Sequence, residues 1–148
     1  MNQARVVYYI DGRIGIKFDP EDVQRLISPR RWLSGDSINA YGALFQAMLP
    51  EEKDYALFST YSVVQVRNKV KDEVLWRSVN KTRFWKRPHW LLPIHREHQL
   101  HWVLAVVRTV DQVVLLFDSF GHGPKSWSND IEVGWHTLYS MHINTGYS

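Results

Sequence analysis

Trp90-Leu91-Leu92-Pro93-Ile94, Trp102-Val103-Leu104-Ala105-Val106-Val107 and Val113-Val114-Leu115-Leu116-Phe117 are the stretches on which the fold turns. Each is a short apolar run of strand length, rich in β-branched or aromatic residues, and polar turn residues separate it from the next. Together they predict neighbouring strands of a buried sheet. Gly121, Gly123 and Pro124 mark a loop after the third run, and Ile131 to Tyr139 fits one more helix.

Upstream the periodicity changes. From Tyr61 to Val79 the residues Val63, Val66, Val70 and Val74 recur at helical spacing, although valine is a poor helix former and packing has to hold it there. Before that, Ser34 is placed to cap a helix in which Ile38, Tyr41, Phe45 and Met48 form one stripe, with Asp36 near its positive end and Pro50 stopping it. Asp19-Pro20 starts a shorter helix that carries Val23, Leu26 and Ile27 and ends at Pro29. Val6 to Ile10 and Ile14 to Phe18 flank Asp11-Gly12, a pair suited to a tight primed turn, and predict a hairpin over 6–18. Helices followed by a sheet of three or more strands imply an α+β architecture.

The 148 residues suit a single domain, and a composition of 45% hydrophobic and 22% charged residues is that of a folding chain, not a disordered tail. A net charge of +3 favours acidic partners without demanding nucleic acid. No run approaches the ~18 apolar residues of a membrane span, and the apolar start is too short for a signal peptide, so the expected location is intracellular, in nucleus or cytoplasm. There is no cysteine, which removes disulfides, thiolate metal ligands and a thiol nucleophile together.

Trp32-Leu33-Ser34-Gly35-Asp36-Ser37-Ile38-Asn39-Ala40-Tyr41 resembles the W-L-x-D-x-x-I-N-x-Y signature of the Ulp/SENP cysteine proteases, which act on ubiquitin-like modifiers. Leu92-Pro93-Ile94 resembles that family's V-P-I-N, His101-Trp102-Val103-Leu104-Ala105-Val106 its H-W-x-L strand, and Phe117-Asp118-Ser119-Phe120-Gly121 its Y-D-S-L-G. Phe58-Ser59-Thr60 falls between, where family members often read F-S-T. The likeness runs in family order over about 19–124, and the 17 residues from His101 to Asp118 are the family's usual interval. Gly35 in place of an acidic residue, Asp36 one position late and His95 in place of asparagine are departures, and none reaches that pair.

The resemblance implies a papain-like fold and hydrolysis of the peptide or isopeptide bond after the C-terminal glycine of a SUMO-like modifier. His101 is then the general base and acid, Asp118 its orienting carboxylate, and Trp32 and Trp102 the walls of a tunnel for the modifier's tail. No cofactor is implied. Such a peptidase also needs a thiolate and an oxyanion donor. The family's glutamine and cysteine lie C-terminal to the aspartate, and the 148 residues contain no cysteine. Losing the nucleophile of a comparable hydrolytic triad costs roughly 10⁶ in kcat, so no useful peptidase activity is expected. Two readings stay open: a single partial domain over 1–148, truncated before the nucleophile, or a non-catalytic module that binds a ubiquitin-like protein or peptide through the same cleft. In the first, the C-terminal part of the fold is missing, and one sheet face should stay open and invite self-association.

Two further patterns have plainer readings. His95, His98 and His101 recur every three residues, yet no carboxylate set completes a metal site, and none is expected. Lys81-Thr82-Arg83-Phe84-Trp85-Lys86-Arg87 interleaves basic and aromatic residues as single-strand nucleic-acid binders do, but a solvated loop ahead of a strand is the commoner outcome.

Overall fold

Asp19 and Asp22 cap each other at the start of the first helix: Asp22 N–H donates to Asp19 Oδ1 at 3.0 Å and Asp19 N–H to Asp22 Oδ2 at 3.3 Å. In the computed structural model, which describes residues 6–10, 13–48, 54–96, 99–121, 125 and 127–144, this helix is α1, Pro20–Ile27. Pro20 occupies its first turn, where a missing N–H costs nothing, and the helix ends at Ser28 ahead of Pro29. A hairpin precedes it, with β1 (Val6–Ile10) antiparallel to β2 (Arg13–Phe18) and Val6 opposite Phe18. Its Asp11-Gly12 turn lies outside the described residues. Helix α2, Gly35–Met48, begins where Ser34 Oγ accepts the Ser37 N–H at 3.0 Å, and Pro50 lies outside the described residues.

The chain divides into two compact units, residues 1–52 and 53–148. In the first, the apolar stripes read from the sequence stay open: Ile27, Tyr41, Phe45 and Met48 are exposed, while Ser37 is fully buried. About fifty residues cannot enclose both stripes of their helices.

The second unit is built on a four-stranded sheet in the order β3-β4-β5-β6. Strands β4 (His89–Arg96), β5 (His101–Arg108) and β6 (Val113–Phe117) are antiparallel neighbours and correspond to the three apolar runs. Strand β3, Tyr55–Leu57, pairs parallel with β4 through Ala56 and Trp90, which makes the sheet mixed. Three residues show too little alternation to be read as a strand from sequence.

Along β5 the residues His101, Val103, Ala105 and Val107 are buried and alternate with half-buried Trp102, Leu104 and Val106. The buried face is covered by α3 (Thr60–Arg67) and α5 (Ser128–Asn144). On the other face of β6, Leu115 and Phe117 remain exposed. Among the described residues no helix is long and apolar enough to cross a membrane.

The helical period over Tyr61 to Val79 belongs to two helices, α3 and α4 (Asp72–Val79). Ser59 opens α3 by accepting the Tyr61 N–H at 3.1 Å. It closes where the Asn68 N–H donates to Val64 O at 2.9 Å and Lys69 takes a left-handed φ of 49°. Valine spacing carries across this break because Val70 resumes the apolar face after the turn. The core joins Phe58, Phe84 and Trp90, whose ring centroids lie 5.2 to 5.9 Å apart, and the Trp90 indole donates to Phe84 O at 2.9 Å.

A void of about 10 Å³ lies between α5 and the sheet, bounded by Ile94, Ala105, Ile131, Gly134 and Trp135. A Cβ added at Gly134 meets nothing within 4 Å. Gly134→Ala should therefore gain about 0.5–1 kcal/mol from helix propensity, read as a higher urea midpoint with an unchanged slope. An unchanged or lower midpoint would show that the helix needs the glycine.

Candidate active site

His101 opens β5 and Asp118 follows the last residue of β6, so adjacent antiparallel strands bring their side chains together at one end of the sheet. His101 Nε2 lies 2.6 Å from Asp118 Oδ1, and both side chains are only 4% exposed. Phe120 stacks on the imidazole with centroids 4.0 Å apart and planes 10° from parallel. Its backbone N–H donates to the same Asp118 Oδ1 at 2.9 Å, which turns the Asp-Ser-Phe-Gly segment back over the pair. The second carboxylate oxygen accepts the indole N–H of Trp127 at 3.0 Å.

Burial by itself pushes the Asp118 pKa up. The hydrogen bonds from His101, the Phe120 N–H and Trp127, with the charge of His101, outweigh it and bring the value from 3.8 down to about 2. Asp118 therefore stays ionised across the range in which an imidazole works.

Around the pair, Arg96 places its guanidinium 4.1 Å over the Trp127 ring. Asp130 Oδ2 holds Arg96 Nε at 3.4 Å, and its Oδ1 holds Arg67 Nη2 at 2.8 Å. Arg67 Nη1 also donates to His95 O at 2.8 Å, so α3, β4 and α5 are cross-linked beside the carboxylate.

Trp102 points to the opposite sheet face from His101, half-buried, with His95 stacked on it at 4.2 Å. Trp32 belongs to the first unit and is 55% exposed. Its loop is organised by Asp22, which no motif marks: the hydroxyls of Ser34 and Ser37 donate to Asp22 Oδ1 at 2.8 and 3.0 Å. Burial works to raise the Asp22 pKa, but those hydroxyls, the Asp19 N–H and the charge of Arg25 prevail and hold it below the ordinary value.

The basic and aromatic run Lys81 to Arg87 forms two short 3₁₀ turns. Phe84 is fully buried and Trp85 stacks on Trp76 at 5.1 Å, so its rings serve the core and are not a platform for bases. His98 lies outside the described residues, and among the described ones no three metal-ligating side chains converge.

Residues 33–136 match the Ulp1 protease family, C-terminal catalytic domain. The chain belongs to the Ulp1 protease family. A crystal structure of a de-sumoylating protease resembles this Ulp1-family domain with a TM-score of 0.68 at 14% identity, over 95% of this chain and 57% of that one. The Ulp1-like SUMO protease catalytic domain of Chaetomium thermophilum gives a TM-score of 0.49 at 20% identity, over 73% of this chain and 47% of that one. At such identities the likeness to the de-sumoylating protease is one of fold, and the present chain spans 57% of that protein's length. Comparison with curated proteins gives no match. The α+β, Ulp-type fold expected from the motifs is thus the fold of this Ulp1-family domain.

The sequence marks Phe120 only as a motif position, without its stacking role, and gives no signal for Trp127. Phe120 stands at a position occupied by leucine in the motif, and Trp127 follows a Gly- and Pro-containing loop whose path no local pattern predicts.

A carboxylate held below its ordinary pKa stabilises the fold above pH 3.8, and that contribution disappears as pH falls through about 2. Asp118→Asn should accordingly be less stable than the parent chain at neutral pH, and the gap should close between those two values. Urea midpoints at steps of pH measure this, and a gap of constant size would contradict the assignment.

Proposed function

We propose that this Ulp1-family domain recognises the C-terminal tail of a ubiquitin-like modifier of the SUMO type and holds His101 and Asp118 for the peptide or isopeptide bond after the tail's last glycine. The 2.6 Å contact between His101 Nε2 and Asp118 Oδ1 carries this reading. With its Nε2 proton directed at the carboxylate, the imidazole has one defined tautomer, and Nδ1 is the nitrogen that accepts a thiol proton and returns it to the leaving amine. Asp118 stays ionised, so it favours the imidazolium that forms in between. Trp32 and Trp102 are the residues that contact the tail.

The thiolate of the reaction is not among these 148 residues. By themselves they bind the tail and do not cut it. The absence of cysteine beside an intact histidine–carboxylate pair also favours a second reading, in which the domain binds a modifier without any hydrolytic role.

Titration with a SUMO-like modifier ending in Gly-Gly, and with the same modifier lacking its tail, tests both. Binding should require the tail, and Trp102→Ala should weaken it by about 30-fold, as loss of an aromatic anchor worth about 2 kcal/mol does. A modifier carrying a C-terminal extension should remain uncut. Equal affinity for the tailless modifier would overturn the tail-recognition reading.

A further inference from the structure

An aspartate that orients a histidine has its own orientation to settle, because a carboxylate can rotate about its Cβ–Cγ bond and offer either oxygen. Here both oxygens are engaged. Oδ1 faces His101 at 2.6 Å and the Phe120 N–H at 2.9 Å, and Oδ2 takes the Trp127 indole at 3.0 Å. Two of these donors lie on β5 and on the turn directly after Asp118, and only Trp127 reaches in from the start of α5.

We propose that Trp127 is the positioning residue of the His101–Asp118 pair: its indole N–H holds the carboxylate in the plane in which Oδ1 meets the imidazole. The inference rests on the reading of His101 as the acid–base residue, but concerns how the pair is held and not what it acts on.

Three observations support it beyond the bond itself. Trp127 is completely buried, so its indole has no water to bond in exchange. Its donor is directed at an anion, whereas the equally buried Trp90 satisfies its own on the backbone oxygen of Phe84. The Arg96 guanidinium over the Trp127 ring draws electron density from the indole and strengthens the N–H as a donor. Arg96 is in turn the cross-strand partner of His101 and is held by Asp130, three residues after Trp127 on α5. Ring, cation and carboxylates thus form a closed loop that fixes the indole in place. The titratable and charged groups around it are His101 from β5, Asp118 after β6, Arg96 from β4, Asp130 from α5 and Arg67 from α3.

Proton NMR of the full chain at neutral pH tests this. The Nε2 proton of His101, in a 2.6 Å bond to a carboxylate, should give a low-field resonance protected from exchange. Trp127→Phe should shift that resonance upfield or lose it to exchange, whereas Trp90→Phe, which removes an equally buried indole remote from the pair, should leave it in place. A resonance unchanged in Trp127→Phe, or lost equally in both variants, overturns the proposal. Should Trp127→Phe fail to fold, Asp118→Asn decides: removing the charged acceptor should move the Trp127 indole proton upfield, and by more than any other tryptophan indole in the chain. If it moves no further than the others, the proposal falls. These readouts need no modifier, so failure of tail binding and failure of the positioning role are separately visible.

Discussion

One carboxylate, nearly sealed from water and held by N–H donors, ties one end of the second unit together. Asp118 receives the His101 ring from β5, the Phe120 backbone from the turn after β6, and the Trp127 indole from the head of α5. A buried anion is tolerated only when its lone pairs are occupied, so each of these elements has to be where it is for the others to remain. The order of the site is therefore also an order of the fold, since displacing α5 would take the Trp127 indole away from the buried carboxylate.

The rest of the unit supports that arrangement in two ways. The aromatic cluster of Phe58, Phe84 and Trp90 anchors the far end of the sheet, with Trp135 of α5 5.5 Å from Trp90. Closer to the site, Asp130 draws Arg67 and Arg96 onto the first turn of α5, an acidic residue near a helix N-terminus that also satisfies two cations. Both devices position α5, one through burial and one through charge, and Trp127 lies at the end they fix. The face of the sheet away from α5 is treated differently, with Leu115 and Phe117 left exposed.

In this Ulp1-family domain a histidine and an aspartate meet at the ends of neighbouring strands, and the 148 residues contain no cysteine. A histidine whose tautomer and orientation are fixed has the preparation that acid–base chemistry requires.

What could be read from the sequence was local. Apolar runs of strand length identified β4, β5 and β6, and the Asp19-Pro20 and Ser34 caps identified two helix starts, because caps and alternation depend on neighbours in the chain; the pairing of His101 with Asp118 came from the resemblance to the Ulp/SENP motifs. Other features were decided by tertiary structure. The three-residue β3 exists as a strand because β4 supplies its hydrogen bonds, and the valine period over 61–79 divides because Lys69 turns left-handed within it. Asp22 beneath the Trp32 loop and Trp127 against Asp118 join residues across loops, where no periodicity carries information. Their partners are selected by which polar groups the packing buries and must satisfy, a condition that comes into being only when the sheet and its helices have closed on one another.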